Sequence, residues 1–264
     1  MKTIPQLGFG TRQLNDELCS SLVKEALVSE YRHIDTAQIY ANEQEVGSGW
    51  HSSDIPREEI RITTKIRTQN YGNLLSSFEQ SLQKLQTDYV DLLLLHRPTN
   101  LKQHEQCFDA LLHLKQQGKI REFGVSNFTL AQLKHAWEYT QGQIFTNQIE
   151  YHISLSQDTL KSYMDEKEIL LTAYSPLGHG NLLKDPTIQS LAKKHQVSAA
   201  QICITWLLQQ GCIVIPKASS LERIQENLQA QDITLDEEDL EVIAGLPKNH
   251  RYISPPFAPE RDQD

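Results

Sequence analysis

Tyr89-Val90-Asp91-Leu92-Leu93-Leu94-Leu95-His96 is a short apolar run that ends on an imidazole. It reads as a strand buried on both faces, with no polar side to turn to water. Helical patterns flank it. Upstream, Leu74, Leu75, Phe78, Leu82 and Leu85 recur at three- and four-residue spacing, and downstream Phe108, Leu111, Leu112 and Leu114 do the same. Similar runs cover residues 32–37, 60–66, 123–126, 146–151, 170–174 and 213–216, with a weaker eighth at 230–233. Thr129-Leu130-Ala131-Gln132 reads as a capping box and Asp185-Pro186 as an N-cap followed by proline. Residues 235–246 read as a final acidic amphipathic helix. Eight runs alternating with helices predict an α/β chain in which residues 1–264 form one (β/α)8 barrel domain. The competitor, a doubly wound open sheet, calls for G-x-G-x-x-G after its first strand, and the chain has none.

Composition narrows the function classes. The 264 residues suffice for a large core without disulfide or metal support. Lys and Arg number 25 against 34 Asp and Glu, a net charge of −9. That speaks against a nucleic-acid binder with a broad basic face and against adhesion to anionic lipid. A small anionic ligand, which needs only a few placed cations, stays open. The longest purely apolar run, 92–95, is far short of the roughly 20 residues that cross a bilayer. The opening residues lack the apolar core of a signal peptide. Cys19, Cys107, Cys203 and Cys212 show no C-x-x-C pair and no metal spacing, and read as buried thiols in a reducing cytoplasm. His104, His113 and His179 likewise lack metal spacing, and no metal is expected. His51 and His195 read as helix-end residues, Trp50, Trp137 and Trp206 as packing, and Asp236-Glu237-Glu238-Asp239 as the first turn of a helix.

The active site of such a barrel lies at the C-terminal ends of its strands. The polar residues ending the runs are Asp35, Lys65, His96, Ser126 with Asn127, Gln148, Tyr174 with Ser175, and Lys217. Ordinary loop polarity would account for any one of them, but the series predicts a convergent site. Tyr40 follows the first run closely enough to fold over the same rim. A neighbouring Lys65 ammonium is expected to lower the phenol's pKa from about 10 and make it a better general acid. Asp35 would hold that ammonium, and a neutral His96 would orient a carbonyl. The set suits protonating a carbonyl oxygen while its carbon receives a hydride.

On these residues the chain resembles the aldo-keto reductases. The resemblance runs through Leu7-Gly8-Phe9-Gly10-Thr11, His33-Ile34-Asp35-Thr36-Ala37 with Tyr40, Thr63-Thr64-Lys65, Asp91 to His96 and Gly124-Val125-Ser126-Asn127-Phe128. It continues through Asn147-Gln148-Ile149-Glu150 and Ile215-Pro216-Lys217 to Ser254-Pro255. The short loops and the ending at 251–259 are most similar to the small bacterial 2,5-diketo-D-gluconate reductases of the B type. The resemblance implies a barrel closed at its bottom by an N-terminal β-hairpin, here residues 3–11, and NADPH bound across the mouth. It implies a catalytic tetrad of Asp35, Tyr40, Lys65 and His96. Ser126, Asn127 and Gln148 would hold the nicotinamide carboxamide, Tyr174 would stack on the ring, and Ser175 and Leu177 would line the pyrophosphate. Gly10, Thr11, Glu226 and Asn227 fall on further cofactor-binding motif positions. It implies a small carbonyl substrate, of 2,5-diketo-D-gluconate or methylglyoxal type, and a cytoplasmic monomer.

NADPH over NADH has its own argument from charge. Lys217 and Arg223 can face one 2′-phosphate, whereas a 2′-hydroxyl reader would be acidic. The plainer alternative is two solvated cations. Ala218 stands where the family often has Ser, so a hydroxyl there would come from Ser219 or Ser220. Arg67 and Arg97 stand where many members carry pocket tryptophans. Either they clamp an anionic substrate, or they point to solvent or pair with acidic neighbours. Two other functions compete: a Schiff-base aldolase using Lys65, and a non-catalytic nucleotide-sensing barrel.

Overall fold

The computed structural model describes residues 4–253. Its centre is one sheet of eight parallel strands in chain order. These are β1 (Phe9–Gly10), β2 (His33–Asp35), β3 (Arg61–Ile66), β4 (Val90–Leu95), β5 (Ile120–Ser126), β6 (Thr146–Glu150), β7 (Leu170–Tyr174) and β8 (Ile213–Val214). The sheet curls until its first and last strands meet. Leu7 pairs in parallel with Val214, Gly8 N–H donates to Val214 O at 2.8 Å, and Gly10 N–H donates to Pro216 O at 3.0 Å. Gly10 permits that closure, because a Cβ there would come within 2.7 Å of Ile215 O.

Helices α1 (Asp16–Val28), α2 (Glu43–His51), α3 (Leu74–Leu85), α4 (Leu101–Gln116), α5 (Leu130–Tyr139) and α6 (Asp158–Glu166) each connect one strand to the next. Two helices, α7 (Pro186–His195) and α8 (Ala199–Gln209), separate β7 from β8; α9 (Leu221–Leu228) and α10 (Glu237–Ala244) follow β8. The caps read from the sequence are present. Thr129 and Gln132 form the capping box of α5, and Asp185 Oδ1 accepts from Thr187 and Ile188 N–H ahead of α7. Asp236 caps α10, with acidic residues in its first turn.

Strand alternation divides the core. Leu93 and Leu95 of β4 belong to a large cluster between the strands and their helices, with Phe78, Phe108, Phe123 and Phe128. Their neighbours Leu92 and Leu94 belong to a small separate cluster with Ile4, Ile213 and Ile215, which fills part of the barrel interior. Polar pairs fill much of the remaining interior, as in His33 Nε2 to Thr63 Oγ1 at 2.9 Å and Thr146 Oγ1 to Thr172 Oγ1 at 2.8 Å. A buried interior can be polar where its donors and acceptors pair.

Two sequence expectations need correction. The weak eighth strand at 230–233 is instead a 3-10 turn, Gln229–Asp232, docked on α8 by Thr205 Oγ1 donating to Ala230 O at 2.8 Å. The missing strand is β1, taken from the segment expected to form a hairpin. Residues 1–3 lie outside the described structure, and the described part of that segment pairs in parallel with β2 and β8. Ser254-Pro255 and the rest of the ending at 251–259 beyond Ile253 also lie outside the described residues. The four cysteines are free and buried, and Trp50 and Trp206 are packed in the core cluster.

Candidate active site

The C-terminal ends of the strands ring a cavity of about 780 Å³. Asp35, Tyr40 and His96 line it, and Lys65 is fully enclosed beneath. Lys65 Nζ lies 2.5 Å from Asp35 Oδ1 and also donates to Thr36 O at 2.8 Å. The same ammonium sits 5.0 Å from the centre of the Tyr40 ring. Tyr40 meets His96 edge to face, with ring centres 5.9 Å apart. Asp35, Lys65 and His96 converge because they lie at the ends of separate strands that finish at one rim, and Tyr40 joins them from the turn just after β2.

Local structure explains why Tyr40 stays there. It ends a 3-10 turn, Gln38–Tyr40, whose Gln38 side chain donates to Ser77 O at 3.1 Å and Ser81 Oγ at 3.0 Å on α3. Gln38 Oε1 accepts from Arg67 N–H at 3.1 Å and from Asn70 Nδ2 at 3.0 Å. Beyond the turn, buried Asn42 donates to Thr11 O and Leu14 O, both at 2.8 Å, tying the turn to the loop after β1. His96 is held through its backbone: its N–H donates to Ile66 O at 3.1 Å, and its carbonyl accepts from Asn127 Nδ2 at 3.1 Å.

Electrostatics sets the protonation states. Burial alone would lower the Lys65 ammonium, but Asp35 and Tyr40 overcome it and hold its pKa above the ordinary lysine value. Burial, then Lys65, Arg97 and Arg12, push His96 well below the usual imidazole value, so it is neutral at pH 7. The expectation for Tyr40 is reversed in sign. Lys65 does pull the phenol down, but burial pulls harder in the other direction and leaves its pKa raised. The phenol thus stands protonated, as a donor must, beside the cation that would stabilise its phenolate.

The predicted cofactor residues divide into three groups. Gly10, Ser126, Asn127, Gln148, Tyr174, Ser175, Leu177, Lys217 and Arg223 all line the same cavity as the tetrad. Several are already interlocked: Tyr174 Oη donates to Asn127 Oδ1 at 2.7 Å, Ser126 Oγ donates to Gln148 O at 2.8 Å, and Asn127 Nδ2 reaches Ser126 Oγ at 3.0 Å. Thr11 and Ser219 are one step back, with Thr11 Oγ1 on Asp35 O at 3.0 Å and Ser219 Oγ accepting from Arg223 Nη1 at 3.3 Å. Glu226 and Asn227 lie on α9, away from the cavity wall, with Asn227 buried.

The two arginines part company. Arg97 lines the cavity, and its backbone is fixed by Tyr71, whose hydroxyl donates to Arg97 O at 2.6 Å. Arg67 is exposed and is not a cavity residue. Arg12, just after β1, takes a place at the wall that the sequence reading missed. Its signal was the Gly-Phe-Gly-Thr motif directly before it. The wall also carries His179, Leu183 and Ile253. Of the charged cavity residues, Arg12, Arg97, Lys217 and Arg223 are cationic and Asp35 alone is acidic, already matched by Lys65. A chain of net charge −9 thus keeps a cationic cavity. Among the described residues no cluster of His, Cys, Asp or Glu could hold a metal, and no helix is long and apolar enough to cross a membrane.

Comparison with known proteins fits this geometry. The model of the Aldo/keto reductase family matches residues 6–247. Methylglyoxal reductase DkgB of Escherichia coli O157:H7 is 42% identical over 265 residues, spanning 98% of this chain and 99% of that protein. Glyoxal reductase of Bacillus subtilis (strain 168) is 39% identical, spanning 94% of this chain and 91% of its own. A crystal structure provisionally named a 2,5-diketo-D-gluconic acid reductase B superposes with a TM-score of 0.95 at 36% identity, covering 98% of this chain and 94% of that one.

Proposed function

The chain belongs to the aldo/keto reductase family, and from that premise we propose that it reduces aldehyde and ketone carbonyls to alcohols with NADPH, using Tyr40 as the general acid. The observation that carries the reading is the meeting of a buried Lys65–Asp35 pair, a protonated phenol and a neutral imidazole at one cavity. The cavity's donor set suits a dinucleotide phosphate. Lys217 and Arg223 supply charge for the 2′-phosphate, Ser175 and Leu177 take the pyrophosphate, and Ser126, Asn127 and Gln148 take the carboxamide beside the Tyr174 ring. When bound, the reduced nicotinamide supplies the hydride.

The chain's own residues manage the oxygen. His96, neutral, orients the carbonyl, and the Tyr40 ring meets it edge to face at the same cavity. As negative charge gathers on the oxygen, Tyr40 gives up its proton and an alcohol forms. Lys65 stabilises the phenolate left behind, and Asp35 keeps Lys65 charged. The phenolate then regains a proton through the cavity that Tyr40 lines, which resets the site.

Small polar substrates of the methylglyoxal or 2,5-diketo-D-gluconate type suit this mouth. Arg97, joined by Arg12, extends the preference to carbonyls that carry a carboxylate. The reading is of one barrel domain over residues 1–264, working as a cytoplasmic monomer. The aldolase alternative is disfavoured by Lys65, which is sealed from the cavity and bonded to Asp35 and Thr36. The test is NADPH consumption over paired anionic and neutral carbonyls with wild type and Tyr40→Phe. Loss of about 10²-fold or more in kcat with NADPH binding retained is expected; wild-type-like turnover by the variant would sink the assignment.

A further inference from the structure

The last described residues bring Ile253 to the cavity wall, and their attachment is specific. Lys248 O accepts from Ser156 N–H at 3.2 Å, and His250 N–H donates to Ser154 O at 2.9 Å. The chain then turns onto Glu150, the last residue of β6. Glu150 is wholly buried, and its carboxylate accepts from Tyr252 N–H at 2.6 Å and Ile253 N–H at 3.0 Å. His152 Nε2 lies 3.3 Å from the same carboxylate and Arg251 Nη1 lies 3.9 Å away. A buried carboxylate is costly unless its oxygens are filled. Here the segment's own backbone helps to fill them.

What this attachment achieves lies on the other side of Tyr252. Its ring packs against the loop after β7, with its centre 6.1 Å from His179. Gly178 lies under the same ring, in the left-handed region at φ +53, where an added Cβ would come within 2.7 Å of Tyr252. That loop supplies Leu177, His179 and Gly180 to the cavity wall, and the strap itself supplies Ile253. Two wall segments from distant parts of the chain are therefore joined through one ring; the Tyr252 backbone is bonded to Glu150, and its ring also meets His250 at 4.4 Å and His152 at 5.3 Å between centres.

We propose that Glu150 is a positioning residue for nucleotide retention: by anchoring Tyr252 and Ile253 it braces the Leu177–Gly180 loop against the occupied cavity. Resting on the NADPH reading above, it assigns Glu150, which touches no cavity space itself, a role in cofactor affinity. The chemistry proposed for the tetrad does not need it.

The test uses the whole protein and two readouts. Hydrogen exchange without nucleotide should show the Tyr252 and Ile253 amides protected in wild type, and protection should fall about tenfold or more in Glu150→Gln. The Gly178 and Gly180 amides, which are not bonded to Glu150, should lose protection with them. NADPH titration should then give a Kd raised about tenfold, with KM for NADPH rising more than kcat falls. Tyr252→Ala leaves Glu150 in place and Gly178→Ala pushes the ring away; each should raise the Kd, and they decide the matter if Glu150→Gln fails to fold. Loss of protection confined to Tyr252 and Ile253, or an unchanged Kd in the folded variants, would overturn the proposal. A wild type that binds no NADPH would instead defeat the functional reading, and the exchange pattern at Gly178 and Gly180 would still decide whether Glu150 braces the loop.

Discussion

Gln148 on β6 donates its side-chain amide N–H to Asp35 Oδ2 on β2 at 2.8 Å, across the barrel interior. Asp35 therefore carries two obligations, Lys65 on one oxygen and Gln148 on the other. The tetrad and the proposed carboxamide site are one bonded unit.

That unit predicts a double penalty for Asp35→Asn. Removing one partner of a buried ion pair typically costs about 3–5 kcal/mol, because the remaining charge is left uncompensated. Lys65 is fully buried, so water cannot compensate for the lost carboxylate. The variant should unfold at clearly lower urea and lose kcat far more than it raises KM for the carbonyl. A wild-type unfolding midpoint would show that the pair adds little. Loss of activity confined to KM would show that Asp35 does not act through Lys65.

Most of this site was legible before any coordinates, for a physical reason. Asp35, Lys65, Gln148 and Tyr174 end or nearly end apolar runs, and a parallel barrel brings those ends to one rim. What was not legible rests on contacts between distant segments. Phe9–Gly10 is too short to show any alternation, and it is a strand only because it pairs with β2 and because Gly8 and Gly10 bond to Val214 and Pro216. Arg12 reaches the wall by following that unrecognised strand. Ile253 reaches the cavity wall on a segment whose backbone is bonded to the distant Glu150. The sign of the Tyr40 shift needed the depth of burial, which no spacing reveals.

The phosphate assignment predicts a cofactor-specific loss. Lys217 and Arg223 are exposed cations on the cavity wall, and Arg223 is steadied by Ser219. Lys217→Ala with Arg223→Ala should raise KM for NADPH at least tenfold while leaving KM for NADH nearly unchanged. Charge-assisted bonds to phosphate are stronger than neutral ones, so the effect should also shrink at high salt. Equal changes for both cofactors would remove the 2′-phosphate from these residues.

Arg12 and Arg97 predict a substrate-specific loss. Both line the cavity and both bear electrostatically on His96. Arg12→Ala with Arg97→Ala should lower kcat/KM for a carboxylate-bearing aldehyde at least tenfold more than for a neutral one of similar size. Arg67→Ala, at an exposed position off the cavity, serves as the control and should change neither. Equal losses on both substrates would mean that the arginines tune the tetrad rather than grip the substrate.

Two buried histidines predict how the fold responds to acid. Burial holds His33 and His104 at a pKa of about 4, against 6.5 for a free imidazole. His104 Nε2 accepts from Thr99 N–H at 2.6 Å, a bond that protonation would destroy, and its ring packs on Phe128 at 4.8 Å. The unfolded chain binds these protons below pH 6.5 while the folded chain refuses them until about pH 4, so stability falls as pH drops through that window. Each histidine should withdraw about 2 kcal/mol between pH 7 and pH 5. Carboxylates titrate there too, so the comparison must be with a variant. His104→Gln keeps an acceptor for Thr99 but binds no proton. Its stability deficit against wild type, measured by urea unfolding, should shrink by about 2 kcal/mol from pH 7 to pH 5. A deficit that stays constant across that range would mean that His104 is not held neutral by the fold.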